Sequence, residues 1–198
     1  MSAVLNPPLM KFEAYLDWEL QQPDRHEFLA GDVYAMTGAR ATHNTIALNI
    51  AVALRAALRG TPCRTFIADM KLHAAKANAS FYPDVFVSCD PRDRAADAEL
   101  VQRHPQLVVE VLSDSTAAFD RGQKFEAYRT LDSLTAYLLV EQNRVHADLF
   151  SRNSEGHWVL ASFGSRDIVS ILPLAVVLPM ESIYADVSFD DAMAAPAA

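Results

Sequence analysis

A chain of 198 residues, 51% hydrophobic and 21% charged, carries enough apolar material for one globular domain and is neither disordered nor fibrous in composition. Its 17 Lys and Arg against 25 Asp and Glu leave a formal charge of −8, which argues against a broad phosphate-binding surface, because non-specific nucleic-acid affinity comes mostly from Lys and Arg. A small site where a divalent cation offsets local acidity stays compatible with that balance. No apolar run approaches the roughly 20 residues of a membrane span, and the N-terminus lacks a signal-peptide pattern. The expectation is a cytoplasmic protein with no membrane partner. Cys63 and Cys89 show neither CxxC spacing nor a disulfide framework, so they are expected to be inert core thiols.

Residues 1–9, with Pro7 and Pro8, read as a flexible lead-in, residues 10–187 as a single domain and residues 188–198 as a loose tail. Phe12, Tyr15, Leu16 and Leu20 fall near helical spacing, predicting an amphipathic packing helix over residues 11–22 that Pro23 ends. Residues 26–37 predict a hairpin, with Gly31-Asp32 as its two-residue turn. Glu27 opens that hairpin; taken alone it reads as a solvated strand-end carboxylate. Residues 43–60 form the clearest helix. Thr42 is the expected N-cap and Gly60 the stop, with Ile46, Ile50, Leu54 and Leu58 along one face. His43, in its first turn, is expected to be exposed.

Residues 64–74 predict one strand interrupted by Asp69, and residues 81–90 a second, with Pro83 near its start. By period two, Tyr82, Asp84, Phe86 and Ser88 share one face of that second strand. Residues 91–105 are highly charged without a strong period and predict a surface loop.

The run Leu107-Val108-Val109-Glu110-Val111-Leu112 reads as a central strand covered on both faces. An ionised carboxylate among such residues is costly, so Glu110 has to be paired, protonated or metal-bound. A helix follows to about Leu131. Asp120 and Gln123 match a capping-box spacing, so its regular part is expected to start there, and Arg121, Lys124 and Tyr128 would then share one polar stripe. Residues 135–141, 144–151, 157–163, 168–172 and 175–178 predict further strands, the first three divided by turns at Asn143 and at residues 153–156.

The order helix, three strands with Asp69, Asp84 and Glu110, helix with Lys124, strand is αβββαβ, an α/β (α+β) arrangement with a mixed central sheet, an N-terminal helix and hairpin, and extra C-terminal antiparallel strands. It resembles the PD-(D/E)XK nuclease-like fold, Pro83-Asp84 and Glu110 standing where that superfamily has its two acidic motif residues. More closely it resembles the Uma-two family of restriction-endonuclease-like proteins. The matching segments are HEFLAGDVYAMTGARATHNTI, FYPDVFVSCD, LVVEVLSDSTAAFDRGQKFEAYR and AYLLVEQNRVHADLF.

The resemblance implies a metal-dependent DNA endonuclease. Asp84 and Glu110 would hold Mg²⁺, or Mn²⁺ in its place, since Mg²⁺ takes one or two protein carboxylates with water and phosphate oxygen. The superfamily places a lysine two residues after the second acid, where this chain has Leu112; Lys124 on the following helix is the implied replacement, to orient or activate the attacking water. Glu27 joins the catalytic candidates, with Asp69, Tyr128, His43 and Arg121 as accessories. The implied partners are nucleic acid, DNA first, and a second copy in a homodimer. The bland alternative pairs Glu110 with Lys124 as a structural ion pair in an idle fold member that serves as a protein-binding or dimerisation module.

Overall fold

The structure is a computed structural model describing residues 10–36 and 38–189. The lead-in expected over residues 1–9 lies outside them, as does the expected tail from residue 190 onward. In chain order the elements are α1 (Phe12–Glu19), β1 (His26–Leu29), β2 (Asp32–Ala35), α2 (Ala41–Ala57), β3 (Arg64–Ile67), β4 (Lys71–Ala74), β5 (Ala79–Phe81), β6 (Val85–Ser88), β7 (Val101–Gln102) and β8 (Pro105–Leu112). There follow α3 (Ala117–Phe119), a π-helical segment (Asp120–Lys124), α4 (Phe125–Tyr128), β9 (Ala136–Glu141), β10 (Ala147–Arg152), β11 (Trp158–Phe163), β12 (Ile168–Ile171), β13 (Val176–Pro179) and α5 (Met180–Ile183).

A six-stranded sheet in the order β11-β10-β9-β8-β6-β3 forms the spine. Its strand β8 lies antiparallel to β6 and parallel to β9. Alternation along β8 divides the interior, as the period of two requires. Leu107, Val109 and Val111 join Ile46, Ile50 and Leu54 of α2, with β12, β13 and α5 completing that core. Val108 and Leu112 join Phe81, Phe86, Tyr128 and Tyr137 on the other face. Glu110 shares the parity of Val108 and Leu112, so it points away from α2 toward α4.

The second face is covered by a five-stranded sheet, β2-β1-β5-β4-β7. Two of the chain's passages between the sheets are tight corners inside segments expected to be single strands, which corrects both expected long strands. Residues 64–74 divide into β3 and β4, with Asp69 at φ 78° in the bend. Residues 79–88 divide into β5 and β6 around Tyr82-Pro83-Asp84, where proline has no N–H to give a ladder. The corners are tied by Ala68 N–H donating to the Asp84 carbonyl at 3.2 Å. Buried Glu19 of α1 accepts from His26 N at 2.9 Å and from the Tyr82 hydroxyl at 2.7 Å, bracing hairpin and corner together.

Several local expectations move. Leu29 pairs with Asp32, so the hairpin turn is Ala30-Gly31 and not Gly31-Asp32. Both turn residues have positive φ, 53° and 101°, as a two-residue turn matching strand twist demands. The long helix begins at Ala41 behind an extended Arg40, so Thr42 lies inside it and no side chain caps it. The expected loop over residues 91–105 is ordered by buried Asp93, which accepts from the Ser88 hydroxyl at 2.7 Å and from His104 N at 2.9 Å; it also contains β7. Cys63 and Cys89 are not free thiols. Arg64 pairs with Ser88 across β3 and β6, which sets the flanking cysteines opposite one another, and they form a disulfide. A cross-strand partner is a consequence of register, which spacing along the chain does not reveal.

Candidate active site

Four elements converge beside the corner at Asp84. β8 carries Glu110 on the face turned from α2, β1 carries Glu27, the π-helical segment carries Asp120 and Lys124, and α4 carries Tyr128. Lys124 Nζ lies 2.9 Å from Glu27 Oε1, 3.1 Å from Glu110 Oε1 and 3.4 Å from Asp120 Oδ1. The Tyr128 hydroxyl donates to Glu110 Oε1 at 2.9 Å. All four charged residues are buried, and Glu110 and Lys124 are only 3% and 6% exposed. Each partner therefore interacts with little screening by water.

Asp84 sits at the edge of this cluster. Its Oδ2 accepts from Val111 N at 2.7 Å and lies 3.3 Å from His43 Nε2. The first contact ties the corner to β8 one residue beyond Glu110. The second corrects the expectation for His43, whose side chain is 15% exposed and turned inward. Burial opposes the imidazolium, and the Asp84 contact outweighs it, leaving the His43 pKa raised. Asp84, Glu110, Glu27, Asp120, Lys124 and His43 all line one cleft of 510 Å³.

The cluster sets three carboxyls against one ammonium. Burial pushes the Glu110 carboxyl well above its usual range; Lys124 draws it back, while Asp120, Asp84 and Glu27 push it further up. Glu27 is raised for the same first reason, with Lys124 opposing. Burial works against the Lys124 ammonium, and Glu110, Glu27 and Asp120 overcome it, so its pKa stands well above the ordinary lysine value. Lys124 is thus a fixed cation, and excess negative charge in the cluster is relieved by a proton on a carboxyl or by an added cation.

The structure brings together Glu110, Lys124, Glu27 and Tyr128, with Asp84 and His43 adjoining. Two candidates stand apart. Asp69 is on the exposed corner, 3.4 Å from Arg25, with its side chain 75% exposed. Arg121 leaves the expected stripe and pairs with Glu141 at 2.6 Å and Asp148 at 2.8 Å. The cause is the π-helical segment: an i→i+5 turn holds more residues than an α-turn, so positions 121 and 124 no longer share a face. Asp120 was missed as a site residue. Its capping-box spacing suggested a helix start, whereas its backbone is helical and its carbonyl accepts from the Tyr137 hydroxyl at 3.0 Å. Its place four residues before Lys124 was the available signal.

Comparison with known proteins shows the family and the fold. Residues 12–181 match the model of the Uma2 family, described as "Putative restriction endonuclease". The uncharacterized Synechocystis protein slr1290 is 35% identical over 182 residues, 92% of this chain and 95% of that protein. A second uncharacterized Synechocystis protein, sll1609, is 31% identical over 160 residues, 81% of this chain and 90% of that one. In three dimensions the chain resembles the crystal structure of a "putative nuclease belonging to DUF820" from Anabaena variabilis, with TM-score 0.72, 12% identity, and coverage of 89% of this chain and 98% of that one. Among the described residues no helix is long and apolar enough to cross a membrane.

Proposed function

This chain belongs to the Uma2 family of "putative restriction endonuclease" proteins, and from that premise we propose that it is a metal-dependent nuclease hydrolysing phosphodiester bonds of DNA in the Asp84–Glu110–Lys124 cleft. The observation that carries the reading is Lys124 Nζ at 3.1 Å from Glu110, on the floor of the cleft that Asp84 lines. In this reading Lys124 takes the role of the lysine absent from position 112.

The donor chemistry fits Mg²⁺ or Mn²⁺. Protein contacts to Asp84 and Glu110 fall on Oδ2 and Oε1, so Oδ1 and Oε2 have no protein hydrogen-bond partner among the described residues. Two carboxylates completed by water and a substrate oxygen suit this class of ion, and burial, reinforced by the neighbouring carboxyls, raises Glu110 in a way that a cation would relieve. When bound, the ion supplies an acidified water and charge stabilisation at the phosphorus oxygens. The chain's residues do the rest. Lys124, held as an ammonium, orients the attacking water and stabilises negative charge developing on the phosphoryl group; it is not the base. Glu27 and Asp120 fix Lys124 from two sides, and Tyr128 holds Glu110 in its rotamer. Water oxygen bonds to phosphorus and yields its proton to bulk water as the bond to the leaving sugar oxygen breaks. That oxygen takes up a proton from bulk water, so that one water is consumed and a phosphomonoester and a hydroxyl are formed.

Mn²⁺ calorimetry on wild type and Asp84→Ala, followed by cleavage assays on DNA, tests the reading. Binding and cleavage lost together in the variant are expected. Wild type that neither binds Mn²⁺ nor cuts DNA in its presence would leave the idle, protein-binding module, for which the internally paired Lys124 cluster is also suited. A homodimer belongs to the same proposal: β11 is an edge strand with Val159 and Leu160 exposed, and light scattering giving a monomer mass would remove it.

A further inference from the structure

The nuclease reading leaves open which form of DNA enters the cleft. We propose that it is a single strand, either free or as a tail or flap, and not a continuous duplex; the proposal rests on that nuclease reading. Three observations carry it.

The first is depth. The reactive groups form the floor of a 510 Å³ cleft, with Glu110 3%, Lys124 6% and Glu27 7% exposed. A scissile diester reaches them only if the sugars on either side enter too. The walls are the β2–α2 connection, with Met36, Gly38 and Arg40, and the β8–α3 connection, residues 113–116. A volume of this size suits a small ligand or a nucleotide or two, and a paired second strand behind the first would meet those walls.

Charge is the second. Arg40, His43 and Lys124 are the described cations lining the cleft; Lys124 and His43 are partly neutralised by the carboxylates they contact, while Arg40 has no carboxylate partner among the described residues. The whole chain carries −8. Duplex DNA presents a denser line of phosphate charge than a single strand and gains more from Lys and Arg. One uncommitted arginine can serve one backbone.

The third is a stacking surface. Tyr34 lines the same cleft, half-buried, with its ring 6.5 Å from Phe119 behind it. The other tyrosine there, Tyr82, is 2% exposed and donates its hydroxyl to Glu19. Tyr34 is thus the aromatic ring available to an unpaired base, and base–aromatic stacking is the usual sequence-tolerant grip on a single strand. A duplex hides its base faces and has no use for it.

The test is cleavage of four fluorescein-labelled DNAs sharing one sequence: single strand, continuous duplex, flap and tailed duplex, each with Mn²⁺. Wild type is expected to cut the single strand and the unpaired part of flap and tail at least tenfold faster than the duplex. Tyr34→Ala should raise KM for the single strand about tenfold with kcat little changed, and Tyr34→Phe, which keeps the ring, should restore it. Duplex cut as fast as the single strand overturns the proposal and leaves the nuclease reading standing. So does a Tyr34→Ala defect that falls on kcat and that Tyr34→Phe does not repair, since that pattern belongs to a folding role. No cleavage of any substrate by wild type would remove the nuclease reading and this proposal together.

Discussion

The π-helical segment sends Lys124 inward to Glu27, Glu110 and Asp120 and sends Arg121 outward to Glu141 and Asp148, so two clusters of similar charge types stand about one helical turn apart. They differ in water. The Lys124 side chain is 7% exposed and that of Arg121 is 37% exposed. In the outer cluster burial opposes the Asp148 carboxylate, but the Ser162 hydroxyl and Arg121 hydrogen bonds win and its pKa falls. In the inner cluster burial wins over Lys124, and Glu110 rises. The outer cluster has nearly enough cation and donor for its carboxylates; the inner one is left short. A shortfall of positive charge inside a cleft is an unfavourable way to build a scaffold and a favourable way to receive a cation.

The strongest way to break this contrast is Lys124→Ala. Removing the one cation from three buried carboxyls should lower stability by about 3–5 kcal/mol, read from urea unfolding, and reduce cleavage by about a hundredfold or more. A variant as stable as wild type would show that the carboxyls never depended on it. Opposite pH responses sharpen the contrast next. A raised carboxyl takes up protons on folding, so the Glu110 and Glu27 contribution is complete below their unfolded value near 4.5 and is lost as pH rises through the folded values. Asp148 is depressed, so its contribution is present above its unfolded value near 3.8 and is lost as pH falls through the folded one. Urea midpoints of metal-free protein should therefore decline as pH rises from 5 to 8. Glu110→Gln should flatten that decline, because its amide is neutral throughout.

At neutral pH the same Glu110→Gln variant should stay within about 1 kcal/mol of wild type, or exceed it, while losing Mn²⁺-dependent cleavage, the expected trade where a destabilised group serves function. A large loss of stability with activity intact would reverse the assignment. The smallest effect belongs to Arg121→Ala. Its partly exposed pairs should contribute about 1 kcal/mol or less, and its cleavage should match wild type, since Arg121 makes no contact with Glu110 or Lys124.

Much of the architecture was legible in the residues because it follows from short-range rules. The apolar spacing of Ile46, Ile50 and Leu54 marks the buried face of α2, and the alternation of Val108, Glu110 and Leu112 marks which side of β8 holds the carboxylate. The breaks at Asp69 and at Tyr82-Pro83-Asp84 were less legible. Each half-strand is locally a good strand, and only its partner decides that β3 and β6 belong to one sheet while β4 and β5 belong to another. The five residues of the π-helical segment carry no pattern that separates them from an α-turn, so Arg121 was expected at the site and Asp120 was not.

The residues alone established that Glu110 lies in a costly position and needs a partner and that Lys124 follows on the next helical segment, and the motif combination resembled a nuclease-like αβββαβ fold; Asp84, expected within a strand, lies at the corner just before β6. The reading of Glu110 and Lys124 rests on desolvation and on periodicity, which act within a few residues; the fold rests on the resemblance of the combined motifs to a known family. The tertiary structure decided that Glu27 is buried against Lys124, that His43 turns inward to Asp84, that Cys63 meets Cys89, and that Asp120 completes the cluster while Arg121 leaves it. These depend on register and on the helical phase of one segment. A shift of one residue in either changes every partner while leaving composition and local pattern untouched.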